Sequence, residues 1–257
     1  MTDETPTRDA VGKDGVTEVR DITLGNAQLA DYSAADIAPV EDTPKKALEA
    51  MLGAAEAPTR RRAALALARR EGSDSIRETL GSLARSDPDE HVRQFAIEAL
   101  GKLDGDPAVA LEVLETDENQ WVRAEATVAL DRLAREEFED RFESLLEDDA
   151  EGVRRNALIS LTRIRRDGAR EDLLDALSDP SDRVREWAVK LLGQYDDDPE
   201  VEAALEAILE DEREVEVVRE TAARSLGARG TDVETLLEEG TGTASADDHM
   251  LNRVPDG

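Results

Sequence analysis

The sequence contains no cysteine, few aromatic residues and no long apolar run. Without cysteine the chain forms no disulfide, thiolate nucleophile or cysteine-based metal site. Aromatic residues make up 3 % of the chain, so a core must be built from aliphatic side chains. This favours closely packed helices over a β-sandwich, which uses β-branched and aromatic residues. No stretch approaches the roughly 18 apolar residues of a membrane-spanning helix, and no secretory signal is found, so we expect a cytoplasmic protein.

The charge is strongly negative, with 62 acidic and 32 basic residues and a formal net charge of −30. The acidic residues are spread along the whole chain, and 27 of the basic residues are Arg while only 5 are Lys. Such a surface repels itself in dilute buffer, and salt near 1 M relieves the repulsion by shortening the Debye length to about 3 Å. Abundant Asp and Glu with scarce Lys indicate a salt-accumulating halophile, and we expect a haloarchaeal origin.

A short pattern recurs five times along the chain. Each copy has Val-Arg, then Ala three residues after the Arg and Leu seven residues after it. The repeated arginines lie 30 to 34 residues apart, at Arg93, Arg123, Arg154, Arg185 and Arg219. A degenerate sixth copy precedes them, with Arg61 in the Arg position and Ala64 in the Ala position. A period of this length predicts tandem structural units.

Each unit is predicted to be a pair of helices. The Val-Arg-Ala pattern follows one helical face, and a second apolar-periodic stretch, such as Ile76 to Leu83, lies between successive copies. A single hairpin cannot bury its apolar faces alone, whereas stacked hairpins can. The sequence therefore predicts an all-α protein, an α-solenoid (superhelix) of about six helical hairpins.

The hairpins are expected to occupy the middle of the chain. Thr43 and Pro44 form a good helix start, because proline suits the first turn. We expect residues 43–239 to form the solenoid. Residues 1–42 are polar and lack helical periodicity, so they are predicted to be a disordered acidic tail, and residues 240–257 are predicted to be a flexible tail.

The loops of the repeat carry its most specific signal. An acid lies six residues before the repeated Arg in four copies, at Asp87, Asp117, Asp148 and Asp179. This Asp-loop-Val-Arg-Ala pattern resembles HEAT repeats of the phycobilisome-lyase-like type over residues 43–230. In that family the Asp and Arg form a hydrogen-bonded ladder between repeats. The resemblance implies this structural role for Asp87, Arg93, Asp117, Arg123, Asp148, Arg154, Asp179, Arg185 and Arg219.

Relatives of this repeat include enzymes, which makes catalysis one alternative. They comprise bilin lyases and the di-iron deoxyhypusine hydroxylase, whose iron is bound by repeated His-Glu pairs. Here His91 precedes Val92 and His249 precedes Met250, so the His-Glu signature is absent. We therefore expect no metal, no cofactor and no enzymatic activity, with a bilin-lyase-like or other HEAT-repeat enzyme as the catalytic alternative.

Nucleic-acid binding is the other alternative, because arginines cluster at two places in the sequence. The clusters consist of Arg60, Arg61, Arg62, Arg69 and Arg70, and of Arg154, Arg155, Arg163, Arg165, Arg166 and Arg170. The net charge of −30 opposes phosphate binding over distance. We therefore expect no nucleic-acid partner.

The expected function is that of a monomeric scaffold or adaptor that binds another protein on the concave face of the solenoid. In HEAT-like folds the second helix of each hairpin lines that face. The position two residues after the repeated Arg holds very different side chains, which argues against uniform burial there. Exposed tryptophans would be good anchors, because Trp is enriched among interface hot spots. The candidate partner-binding residues are Phe95, Trp121, Trp187 and Arg155.

The excess of acidic residues predicts that salt stabilises the fold. The melting temperature should rise by at least about 5 °C between low and multimolar KCl, because screening weakens the self-repulsion of the folded chain. Thermal melts followed by circular dichroism at several KCl concentrations measure this effect. A melting temperature that is independent of salt would contradict the halophile interpretation.

Overall fold

The computed structural model describes residues 43–195 and 198–227, and the regular structure of this part of the chain is helical. The helices follow one another in pairs. The first helices are α1 (Lys45–Met51), α3 (Asp74–Ser86), α5 (Pro107–Thr116), α7 (Glu139–Ser144), α9 (Arg170–Ala176) and α11 (Pro199–Glu210). The second helices are α2 (Ala57–Leu67), α4 (Glu90–Lys102), α6 (Gln120–Ala134), α8 (Glu151–Arg165), α10 (Asp182–Leu192) and α12 (Glu216–Gly227). The two predicted tails and the end of the predicted solenoid lie outside the described residues.

The pairs stack side by side into a solenoid. Within each hairpin the first helix packs against the second, and each second helix also packs against the next second helix. The first helices lie farther apart, and α3 and α5 are the most closely packed two among those described. Because the row of second helices is the closer one, it forms the inner, concave side. The prediction of an all-α solenoid of about six hairpins is confirmed.

Capping residues and proline set several helix starts. The side chain of Asp89 accepts a hydrogen bond from the backbone N–H of Val92 (3.0 Å) before α4, and Asn119 does the same for Trp121 (2.8 Å) before α6. Pro107 is the first residue of α5. Such residues satisfy or remove the N–H groups that have no partner inside the helix, which explains why these elements start where they do.

The repeated alanine and leucine form the core along the row of second helices. The repeated alanines are fully buried, at Ala96, Ala126, Ala157, Ala188 and Ala222. The repeated leucines are equally enclosed, at Leu100, Leu130, Leu161, Leu192 and Leu226. Burying one such leucine contributes about 1.5–3 kcal/mol, while the small alanines let neighbouring helices approach closely. None of the described helices is long and apolar enough to cross a membrane.

The core divides into two clusters at α8. Residues of the first four hairpins form one cluster, and residues of the last two hairpins form the other, together with Leu158 and Ile159 of α8. At this junction α7 and α9 have only six and seven residues, because 3₁₀ turns replace part of each helix. The turns cover Arg135–Phe138, Leu145–Glu147 and Arg166–Ala169. The outer segments of hairpins four and five are therefore mixtures of α-helix and 3₁₀ turn.

Two glycines test how closely the second helices pack. A Cβ on Gly101 of α4 would lie 3.0 Å from the Cα of Ala129 in α6. A Cβ on Gly81 of α3 would lie 3.3 Å from the movable end of Arg85 and at an ordinary 3.7 Å from Val109. Gly101→Ala should lower the free energy of unfolding by about 1–2 kcal/mol, because overpacking outweighs the helix propensity of alanine. Gly81→Ala should raise it by up to about 1 kcal/mol. Urea unfolding measures both, and equal effects would contradict this packing.

Candidate partner-binding surface

A row of arginine–carboxylate bonds runs along the loops that join the two helices of each hairpin. Arg93 donates from Nε and Nη2 to the two carboxylate oxygens of Asp117 in the next hairpin, at 2.7 and 3.0 Å. Its Nη1 donates to the backbone carbonyl of Asp87 in its own hairpin, at 2.9 Å. Asp117 also accepts the backbone N–H of Asn119 (2.9 Å), which fixes the loop. Each such arrangement, called a rung below, therefore shapes one loop and joins it to the neighbouring hairpin.

The same geometry recurs in the following hairpins with one variation. Arg154 donates to both oxygens of Asp179, each at 2.8 Å. Arg123 instead divides its Nη2 between Asp148 (3.4 Å) and Asp149 (2.6 Å). The hydrogen bond to Asp179 is the main cause that raises the pKa of Arg154 above the ordinary arginine value. The row is thus continuous through the third and fourth hairpins, with a looser rung at Arg123.

At the N-terminal end, the register differs from the sequence-based expectation. Arg60, and not Arg61, donates to both oxygens of Asp87, each at 2.7 Å. Its Nη1 donates to the carbonyl of Ala54, six residues earlier, as in the other rungs. The placement of Arg61 in the Arg position is therefore wrong by one residue. The repeat pattern itself identifies the bonded arginine, because Ala63 lies three and Leu67 seven residues after Arg60, as in the other copies, whereas Ala68 lies seven after Arg61.

At the C-terminal end, a glutamate takes the place of the loop aspartate. Arg185 donates to both oxygens of Glu214, at 2.7 and 2.6 Å. Asp211 lies eight residues before Arg219, two more than in the other copies, and Glu214 was not among the predicted ladder residues. A glutamate is one methylene longer, which lets it complete the rung from a shifted loop. Arg219, in the last described hairpin, donates from Nε to the carbonyl of Leu209 at 3.2 Å.

Three arginines of the second sequence cluster form hydrogen bonds to carboxylates on different helices. Arg165 donates to three acids, which are Glu139 (2.7 Å), Glu143 (2.6 Å) and Asp172 (2.9 Å). Arg163 donates to Asp131 of the preceding second helix at 2.7 Å. Arg170 bonds Asp198 at 2.6 Å and also pairs with Glu200. These arginines therefore join hairpins to one another and do not form a basic stripe.

Phe95 and Arg155, two of the predicted binding residues, are buried. Their exposed fractions are 6 % and 9 %, and burial, with Arg183 as a second cause, lowers the pKa of Arg155 to about 10. The position of Phe95 in the repeat is also buried in other copies, at Glu125, Asn156 and Thr221. It faces the neighbouring second helix, where Asn156 donates to the carbonyl of Ala124 (2.9 Å). The expectation of an exposed position is therefore wrong for these four copies, whose side chains are buried, while Trp187 at the same position is half-buried.

The two tryptophans are half-buried and lie on second helices. Trp187 of α10 packs against the second core cluster, and the ammonium of Lys190 lies 4.3 Å from its ring centroid. Trp121 stands at the start of α6 and borders a shallow cleft of about 350 Å³, together with Glu151 and Ser181. The Trp187 ring thus combines a packed base with a solvent-accessible part, and Trp121 is also partly accessible.

A larger cleft of about 420 Å³ opens between hairpins four and five. Its floor is apolar and is formed by Leu146, Leu158, Ala176 and Val184. Its polar rim includes Glu147, Asp148, Arg154, Asp172, Asp175 and Asp179. In the described part of the chain, no group of three or more His, Asp or Glu side chains is placed to hold a metal ion. The cleft therefore offers an aliphatic floor under a predominantly acidic rim.

Stacked helical hairpins joined by loop-borne rungs define a class of repeat protein, the α-solenoids. A family model of HEAT repeats matches residues 44–130, 107–192 and 170–248. The chain belongs to the HEAT-repeat family, and the resemblance seen in the sequence is confirmed at that level. A search of curated proteins found no match.

Solved structures with a similar fold come from several sources. The complex of CpcE and CpcF of phycocyanin lyase from Nostoc sp. PCC7120 is 20 % identical over 94 % of this chain and 100 % of that chain, with a TM-score of 0.46. An archaeal HEAT-like repeats protein from Thermococcus onnurineus NA1 is 13 % identical over 75 % of this chain and 88 % of that chain, with a TM-score of 0.44. Human deoxyhypusine hydroxylase is 22 % identical over 80 % of this chain and 78 % of that chain, with a TM-score of 0.34.

The rung between Arg185 and Glu214 predicts a specific dependence of stability on pH. The hydrogen bond from Arg185, aided by the N–H of Val215, lowers the pKa of Glu214 below its ordinary value. A carboxyl with a lowered pKa stabilises the fold above its unfolded pKa, and this contribution is lost as the pH falls through the folded pKa. Arg185→Met should therefore cost about 2–3 kcal/mol at pH 7 and progressively less below about pH 4.5.

Urea unfolding of the wild type and of Arg185→Met, at constant salt between pH 7 and pH 3, measures this difference. Arg213→Met serves as the control, because Arg213 is an exposed arginine in the loop that carries Glu214. The control should show only a small effect at every pH. A cost of Arg185→Met that stays constant across the pH range would contradict the role given to the Glu214 carboxylate.

Proposed function

We propose that the chain is a non-catalytic scaffold that binds another protein through the inner face of its HEAT-repeat solenoid. The observation that supports this most directly is the half-buried Trp187 on the inner row of second helices. Lys190 covers part of the ring, and Arg183 and Glu186 form an ion pair on the same helix (3.4 Å). An aromatic side chain within a polar rim is typical of an interface hot spot.

The rungs support the same proposal by holding the hairpins in fixed positions. Binding costs less when the contact surface is already ordered, because fewer side chains and loops lose freedom in the complex. Six hairpins with helix diameters of about 10 Å extend over about 60 Å. Such an arc has room for a standard interface of about 800 Å² on each partner.

The alternatives have weaker support. A nucleic-acid site would need free basic side chains, whereas Arg154, Arg163, Arg165 and Arg170 are bonded to carboxylates. A lyase-like or hydroxylase-like activity would need a chemical site that the described geometry does not suggest. The proposal places a monomer in the cytoplasm of a salt-accumulating, haloarchaeal cell, where concentrated salt screens its net charge of −30.

The test is an affinity capture from lysate of the source organism at multimolar KCl. The baits are the wild type, Trp187→Ala and the control Val215→Ala, which truncates a side chain that is 40 % exposed in the loop before α12. Circular dichroism first verifies that each bait is folded. The wild type and the control should capture one protein in a stoichiometric amount, and Trp187→Ala should capture at least about tenfold less, as expected for a hot spot.

Other results would overturn the proposal. Recovery of nucleic acid with all three baits would favour the nucleic-acid alternative. A coloured or metal-bound protein without a partner would favour an enzyme. Equal capture by Trp187→Ala and by the wild type would remove the inner face around Trp187 as the binding surface.

A further inference from the structure

We propose that the cleft between hairpins four and five binds a segment of the partner protein that carries an aliphatic side chain next to arginine or lysine. This inference rests on the proposed scaffold function and adds the chemistry of the partner. Three observations carry it: an apolar floor, walls that are held in place by a rung, and rim carboxylates without an ion pair.

The apolar lining of the cleft is partly open to solvent. Leu146 and Ala176 are half-buried, whereas Leu158 and Val184 are 0 % and 2 % exposed. Leu146 packs against both clusters, and Leu158 beneath it belongs to the second. The volume of about 420 Å³ lies within the range of roughly 300–1,000 Å³ in which proteins bind ligands. An aliphatic side chain of a partner would cover this floor.

The walls of the cleft are joined by a rung. Arg154 on one side donates to both oxygens of Asp179 on the other, each at 2.8 Å. This pair fixes the distance between hairpins four and five before any partner arrives. Arg154 is also the only basic residue along the cleft, and its charge is already matched by Asp179. The cleft is therefore ordered in advance and offers no positive charge to an acidic partner.

The rim carries negative charge in excess of its internal ion pairs. Asp172 is bonded to Arg165 (2.9 Å), and Asp148 lies near Arg123 (3.4 Å). Glu147 and Asp175 are exposed and form no ion pair within the described residues. Two available carboxylates beside an apolar floor match a basic residue that flanks an aliphatic one. Residues 1–42 of the chain itself carry about −7 and do not complement this rim.

The experiment measures binding of short fluorescein-labelled peptides by fluorescence anisotropy, at the lowest KCl concentration that keeps the full chain folded. One probe alternates arginine and leucine. Two matched probes replace either the leucines by serine or the arginines by glutamate. The arginine–leucine probe should bind at least about tenfold more tightly than either matched probe, because only it satisfies both the floor and the rim.

A matched pair of variants locates the site. Glu147→Gln/Asp175→Asn should weaken binding of the arginine–leucine probe about three- to tenfold, since it removes the two available rim charges. Glu202→Gln/Glu212→Gln removes the same charge from exposed positions in hairpin six and should leave binding within about twofold. Equal weakening by both pairs would reveal general electrostatic attraction and overturn the inference.

The two proposals can fail separately. If the arginine–leucine probe does not bind, or binds no better than the glutamate–leucine probe, the cleft inference is wrong. Capture of a protein that depends on Trp187 would still support the scaffold. Conversely, the arginine–leucine probe could bind the wild type but not Glu147→Gln/Asp175→Asn, while the affinity capture yields no protein. This result would support the cleft inference and count against the scaffold function.

Discussion

The solenoid depends on the bidentate bond between an arginine of one hairpin and a carboxylate in the loop of the next. A single hairpin has too little core to be stable, so the contacts between hairpins determine the structure. The loop acid organises its own turn through a backbone N–H and accepts the preceding arginine, as Asp117 does. Because Arg60 and Asp87 are buried, removal of either would leave an uncompensated charge, which costs several kcal/mol. The rung therefore fixes both the turn and the spacing of the hairpins.

The same arginine–carboxylate bond offers a second explanation for the high ratio of arginine to lysine in the sequence. The scarcity of lysine led to the expectation of a salt-adapted protein, but the fold itself also requires arginine. Only a guanidinium can bond two carboxylate oxygens side by side while a third nitrogen reaches a loop carbonyl, as Arg93 and Arg154 do. Lysine could not replace either residue without loss of this geometry. Part of the high ratio of Arg to Lys is therefore structural, and the excess of exposed acids is the cleaner indicator of salt adaptation.

The fold could be predicted because each repeated residue corresponds to a contact between hairpins. The surface was harder to predict. Variety at the position of Phe95 suggested exposure, yet Asn156 is buried there because it hydrogen-bonds the preceding helix. The first rung was assigned to Arg61, although Ala63 and Leu67 place the repeat pattern on Arg60. The cleft was not foreseen at all, because helical periodicity reveals neither the 3₁₀ turns beside α7 and α9 nor a gap between hairpins four and five.

Several departures from the regular repeat lie in the middle of the solenoid, in addition to the glutamate rung near its C-terminal end. Arg123 has the divided rung, α7 and α9 are shortened, and Arg154 lines both the 420 Å³ cleft and the smaller cleft beside Trp121. Regular rungs on either side keep the remaining hairpins in place. A repeat protein can tolerate local irregularity because each hairpin contacts only its neighbours. Local exceptions to otherwise consistent rules tend to mark functional sites, and here they coincide with the cleft and border the hairpin that carries Trp187. We therefore propose hairpins three to five, more than the solenoid as a whole, as the place where a partner is recognised.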